Sequence, residues 1–329
     1  LRPMQRRLAG DIGVRWSDFA LISPDIWRKQ LLDYQSLGEL SHYAGSMTGD
    51  ELQIVDAKLD RYMARKNERG EMSHLLIDRF RFDSFAPNSN EAGSNLLTRF
   101  GQTVYLFFVV TPPASLVDRA WKRGLQFGRF KAVGDTLAHS VQAYAGMPDL
   151  FFTWIRRDDK AVHFEFLDNS VRLGERPRTA AFGDNQTLNV LDVGRLLDIE
   201  RFRRINIAAA TAEQLYTDQT RLAPENNCGF LQRCVEGMRA VTFADQATGR
   251  IYLRIAAGLV EGVDREWLAS TAPDADTVAA VRAVAPAALT GAVPRFARVT
   301  YLPQPGQGAG APTLGQWGTD RATGETACA

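Results

Sequence analysis

Five cations, Arg119, Lys122, Arg123, Arg129 and Lys131, fall within thirteen residues with no acid among them. Forked guanidinium groups match phosphate geometry, and Gly124 and Gly128 allow the segment to bend, so it reads as a basic lid over an anionic ligand. The plainer reading is a solvated basic helix face. Trp121, Phe127 and Phe130 have faces that stack on bases, yet they serve helix burial equally well, which makes RNA a weaker partner. A second set of polar residues stands directly after short apolar runs: Asp25; Asp78, Arg79 and Arg81; Thr111; Asp168 and Asn169. In an open α/β sheet ligands sit beyond the carboxyl ends of the strands. A carboxylate there can take a proton from a substrate hydroxyl while a neighbour holds Mg²⁺. The plainer alternatives make Asp25 an acid favoured by a helix N-terminus and pair Asp78 and Asp83 with Arg79 and Arg81.

Other chemistries lack their spacing. His42, His74, His139 and His163 form no metal motif, no G-x-S-x-G occurs, and none of the 27 glycines is followed by lysine, so the phosphate-cradling G-x-x-x-x-G-K-[ST] loop is absent from the sequence. Cys228, Cys234 and Cys328 fit neither an even disulfide set nor a zinc site. They read as reduced thiols in a cytosol, with a Cys228/Cys234 redox pair as the minor reading. Lys+Arg of 39 against Asp+Glu of 38 gives +1, so no global field draws the chain to nucleic acid or a membrane surface. Its longest apolar run, 104–110, is far short of the ~20 residues of a bilayer span, and no secretory signal is visible. On these features the chain is expected in the cytoplasm. With 45% hydrophobic and 23% charged residues it belongs with folded globular proteins.

The elements that must position these residues follow from apolar runs and caps. Residues 1–10 read as the last turns of a helix, and apolar strands are expected near 18–23, 73–78, 104–110 and 161–167. Helices are expected after Ser23-Pro24, over 48–70 with a Thr48/Glu51 capping box, over 92–100, after Thr111-Pro-Pro, and after Asp135. Alternation of this kind predicts a doubly wound, mostly parallel α/β domain over 1–175. Residues 176–302 are expected to form a smaller, mainly helical extension. Its helices lie near 190–204, 211–221 and 262–292, and a hairpin joins 240–243 to 250–255. Residues 303–329 carry too little apolar surface to offset ordering entropy and are expected to be a disordered, mobile tail.

Several segments together resemble the zeta toxin family of P-loop kinases, itself similar to polynucleotide-kinase-like enzymes, over residues 1–170. They are Phe19-Ala-Leu-Ile-Ser-Pro-Asp25-Ile-Trp-Arg28-Lys29; His74-Leu-Leu-Ile-Asp78; the apolar strand closing in Pro112; Ala120-Trp-Lys-Arg123; Arg129-Phe-Lys131; Ala138-His139; and Gly-Met-Pro at 146–148. The resemblance implies an ATP- and Mg²⁺-dependent kinase acting on a small-molecule hydroxyl, such as that of a nucleotide or nucleotide sugar, with an antitoxin-like protein as partner. Asp25 matches the general base, and Arg123 and Arg129 match the lid arginines, with Arg119, Lys131 and Asn169 assisting at ATP. Asp78, Arg79 and Arg81 stand where the family has a Glu-Gly-Thr type sequence and are the substrate-binding candidates. The family's first strand and its loop are missing here, so the chain is expected to be the carboxyl-terminal part of a longer kinase. The rival expectation is a non-catalytic interaction module or degenerate kinase, motivated by the absent loop lysine.

Overall fold

The computed structural model describes residues 1–78, 100–127, 131–270, 274–305 and 310–318. The four expected strands all form. Strands β1 (Phe19–Ile22) and β2 (His74–Ile77) pair in parallel from Phe19↔His74 to Ile22↔Ile77. Between them run α2 (Pro24–Leu31), with Ser23 at its N-cap and Pro24 in its first turn, and α3 (Gly49–Glu68). The Thr48/Glu51 capping box does not form. The buried Thr48 hydroxyl instead donates to the Ala44 carbonyl at 2.6 Å, a local bond that competes with capping. The helix expected over 92–100 lies, but for Phe100, outside the described residues.

Strands β3 (Thr103–Val110) and β4 (Ala161–Asp168) also pair in parallel along their whole length. Their crossover is made of α4 (Pro113–Phe127) and α5 (Val133–Ile155). Side chains alternate across β3. Val104, Phe108 and Val110 join the main core with Tyr144, Phe151 and Trp154 of α5. Tyr105, Phe107 and Val109 face the other way, onto Leu8, Met4 and Ile12 of α1 (Arg2–Asp11) and onto Leu314. The sheet is therefore covered on both faces, which is why its strands read as continuous apolar runs.

Beyond residue 175 the structure corrects the expectation of a mainly helical extension. The same sheet continues through β5 (Arg178–Asp184), β6 (Thr187–Val190), β7 (Ala240–Ala244), β8 (Ile251–Ala256) and β9 (Leu259–Val263), giving the seven-stranded order β3-β4-β5-β6-β7-β8-β9. Pairs β3/β4 and β6/β7 are parallel and the rest antiparallel, so the sheet is mixed. Strand β5 was hidden because its centre is small and wholly buried: Thr179, Ala180 and Ala181 show no polar–apolar alternation. The β7–β8 hairpin forms as expected. Helix α6 (Val193–Phe202) fills the expected 190–204 helix, and α7 (Gly229–Gly237) packs on the same core. No α-helix forms over 211–221, which holds two single 3₁₀ turns; the Asp218 carboxylate accepts from the Thr220 amide and hydroxyl at 3.0 and 2.5 Å and diverts the backbone. After β9 come α8 (Arg265–Ser270), α9 (Ala275–Val284) and α10 (Pro286–Thr290).

The segment from 303 is corrected in part. Residues 306–309 and 319–329 lie outside the described residues, but 310–318 dock as a strap in which Leu314 and Trp317 are buried. Composition predicted against packing, and one buried acid reverses it. Glu165 of β4 accepts from the Leu314 and Gly315 amides at 2.6 and 2.9 Å, and from the Thr179 hydroxyl at 2.7 Å. Gly315 is required there, since a Cβ would sit 2.4 Å from the Thr179 nitrogen.

Candidate functional site

Strand β2 pairs only with β1, and β3 is the end of its sheet, so two strand edges face each other without a strand between them among the described residues. A cavity of about 920 Å³ fills that gap. Its sides are β2 and β3, one wall is α1 through Leu8, Ala9 and Ile12, and the opposite wall is α4 and α5. The α5 residues on it, Thr136, His139, Ser140, Ala143, Tyr144, Met147 and Leu150, follow helical spacing as one stripe. That stripe is polar towards the start of α5 and apolar beyond.

The polar end gathers Arg123 of α4, Lys131 just before α5, His139, Ser140 and Thr111. The Arg123 side chain is exposed, and among the described residues no hydrogen bond or ion pair occupies its guanidinium. The ammonium of Lys131 contacts His139 Nδ1. Ser140 is only 3% exposed and its hydroxyl finds no partner among the described residues, an uncommon state for a buried polar group. Tyr144 fixes the end of β3: its hydroxyl accepts from the Thr111 amide at 2.7 Å and donates to the Thr111 carbonyl at 3.0 Å, and burial raises its pKa. Thr111 Oγ1 in turn accepts from Asn169 Nδ2 at 3.0 Å, which ties the ends of β3 and β4 together. A guanidinium with no partner among the described residues, a lysine–histidine pair and a buried hydroxyl beside an apolar chamber can bind an anionic group such as phosphate.

The structure brings together some of the residues singled out in the sequence. Arg123, Lys131 and Asp78 all line the cavity. Asp78 lies just past β2 and forms an exposed ion pair with Arg2 at 3.1 Å. Arg119 is turned elsewhere: its Nη2 donates to the carbonyls of Asn169 and Val171 at 2.9 and 2.5 Å, pinning the turn after β4. The Asn169 side chain is engaged by Thr111, so this residue too serves the sheet edge. Asp25 lies in the first turn of α2, directly after β1, and its side chain is outside the described part. Arg79, Arg81 and Arg129 lie outside the described residues altogether.

Sequence reasoning missed Ser140 and Tyr144 as site residues. The signal was present in the spacing of Thr136, Ser140 and Tyr144 along α5, which reads as ordinary helix amphipathicity until the neighbouring cavity is seen. A second polar cluster went unnoticed on α6. Arg195 contacts Asp198 at 2.8 Å, and Arg201 contacts Asp276 at 2.5 Å and Asp198 at 3.2 Å. Burial raises the pKa of Asp198, and that of Asp192 at the α6 N-cap, although both arginines oppose the shift at Asp198. Burial also pushes Tyr216 to about 12. These charges satisfy one another and fasten α6 to α9. Cys228 and Cys234 are free buried thiols, the first pushed by burial to about 11 and the second higher still, which disfavours the thiolate that disulfide exchange requires.

Among the described residues, no group of three or more His, Cys, Asp or Glu side chains is placed to hold a metal ion, and no helix is long and apolar enough to cross a membrane. Comparison of the chain with protein-family models, curated proteins and solved structures returned no match.

Proposed function

We propose that this α/β chain belongs to an ATP-dependent kinase, similar to zeta toxins, that phosphorylates a hydroxyl of a small molecule such as a nucleotide or nucleotide sugar. The observation that carries the reading is the Arg123 guanidinium, which has no hydrogen bond or ion pair among the described residues and lines a cavity with Lys131, His139 and the buried Ser140. A cationic end placed where strand β3 finishes suits transferring phosphates, whose charge a preorganised, partly dry site stabilises strongly. The residues present fit a phosphate group there. Mg²⁺ held through phosphates needs only one or two protein carboxylates, and among the described residues Asp78 places a carboxylate on this cavity. ATP, when bound, supplies the phosphoryl group. In this reading Asp25 takes the proton from the substrate hydroxyl, and Arg123 and Arg129 hold the phosphate oxygens. An antitoxin-like partner belongs to the same proposal.

A second reading, a non-catalytic interaction module, draws on the lack of any Gly-Lys dipeptide and hence of a phosphate-cradling loop in this sequence. The two separate in one set of measurements on the chain carrying its natural upstream sequence: ATP–Mg²⁺ affinity, and turnover followed by phosphorus NMR with nucleotide sugars. The kinase reading expects Arg123→Ala to weaken ATP about ten- to a hundredfold, the worth of one charge-assisted contact of about 1.5–3 kcal/mol. It expects Asp25→Asn to abolish turnover while ATP binding persists. Neither binding nor turnover in the unsubstituted protein would hand the site to the second reading.

A further inference from the structure

We infer, resting on the phosphate-binding reading of the cavity's polar end, that Arg119 is a positioning residue: by gripping the turn after β4 it sets where α4 carries Arg123 relative to Lys131, His139 and Ser140. Helices α4 and α5 form a hairpin that stands out beyond the carboxyl end of β3. Strand β3 finishes at Val110 and α4 starts at Pro113, so α4 departs from the strand end. The returning α5 starts at Val133 and reaches that strand end at Tyr144, about three turns in. Before that point Leu137 and Val141 cluster with Val117 of α4 and with Ile205, Ala209 and Leu215, none of them on a strand. The direction of such an arm depends on how it is tied to the sheet.

Two ties are visible, one on each helix. On α5 the Tyr144 hydroxyl accepts from the Thr111 amide and donates to the Thr111 carbonyl. On α4 a single nitrogen of Arg119, Nη2, donates to the carbonyls of Asn169 and Val171 at 2.9 and 2.5 Å. Asn169 joins the two ties, because its Nδ2 donates to Thr111 Oγ1 at 3.0 Å and its amide to the Val110 carbonyl at 2.8 Å. The bonds thus run from α4 through Asn169 and Thr111 to α5, and the circuit closes where the two helices pack. Arg123 stands one turn beyond Arg119 on α4, and Ser140 one turn before Tyr144 on α5, each about 6 Å along its helix from the tie. Both line the cavity. Arg123 has no hydrogen bond or ion pair of its own among the described residues, so the tie at Arg119 fixes the backbone that presents it.

The test uses the chain carrying its natural upstream sequence and two readouts: the direction of α4, from residual dipolar couplings of its amides without ligand, and ATP–Mg²⁺ affinity. Arg119→Ala should change the α4 couplings while those of β3 and β4 stay, and should weaken ATP about tenfold or more, the scale on which a displaced binding group acts. One nitrogen makes both bonds, and a lysine ammonium with its three donors can replace it. Arg119→Lys should therefore restore both the couplings and the affinity. In an Arg123→Ala background, Arg119→Ala should cost less than about a further twofold, because the group it places is gone. If Arg119→Ala fails to fold, Arg119→Met keeps the packing of the alkyl stem without the donors and takes its place. Unchanged α4 couplings overturn the inference, and so does unchanged ATP affinity in a protein that binds ATP. A lowered melting temperature with neither change makes Arg119 a staple of the turn and overturns it as well. An unsubstituted protein that binds no ATP overturns the phosphate reading, and the couplings then decide by themselves whether Arg119 places α4.

Discussion

Replacing Glu165 with alanine tests whether one buried acid is what orders the strap at 310–318. The carboxylate, 2% exposed, takes hydrogen bonds from Leu314 N, Gly315 N and Thr179 Oγ1. Removing it leaves three buried donors unpaired at about 1–3 kcal/mol each, or roughly 3–9 kcal/mol were the strap to stay in place. The strap can instead leave the surface, giving up the burial of Leu314 and Trp317 at about 1.5–3 kcal/mol apiece, so about 3–6 kcal/mol is the ceiling. Bonds from Arg176 to the Leu314 carbonyl, at 3.1 and 2.6 Å, favour partial retention. The expected loss in urea unfolding is therefore about 3–6 kcal/mol, accompanied by rapid exchange at the amides of Leu314, Gly315 and Trp317. Glu165→Gln keeps one acceptor oxygen and should lose about 1–3 kcal/mol. A loss below about 1 kcal/mol for the alanine variant, with the strap amides still protected, would refute the reasoning.

Other expectations follow from the same core. Arg201→Ala strands the partly buried Asp276 and leaves the buried Asp198 with Arg195 alone, and should cost about 3 kcal/mol in denaturant unfolding; adding Asp276→Asn should recover part of that loss. Gly183→Ala would put a Cβ 1.9 Å from the Thr187 carbonyl oxygen inside the β5–β6 turn, so it should reach at least the upper end of the ~1–3 kcal/mol typical of overpacking, read as a lowered midpoint. Glu165, Asp192 and Asp198 all have pKa values raised by burial. The folded chain therefore holds protons that the unfolded chain has released. Their contribution is fully present below the ordinary carboxyl value of about 4 and is lost as pH rises through the raised values. Unfolding free energy measured from pH 4 upwards should carry this downward component, and Asp192→Asn should flatten it.

What the sequence by itself determined were the elements whose signals are local. Continuous apolar runs at 104–110 and 161–167 became β3 and β4, because a strand buried on both faces needs no alternation. Ser23-Pro24 placed the start of α2, and the segment at 240–255 folded as the expected hairpin. The basic stretch at 119–131 was legible as a cluster, but its two described ends divide: Arg119 turns to the carbonyls of Asn169 and Val171, while Lys131 reaches the cavity with Arg123. Only the tertiary structure decided that division, since the direction of a side chain depends on which strand end lies beside its helix. It likewise decided that β5 to β9 extend one sheet, that Ser140 lies buried against a cavity, and that Glu165 captures a segment about 150 residues further along. Each of these rests on hydrogen bonds or packing between residues far apart in the chain, whose energies no local pattern of hydrophobicity or propensity encodes.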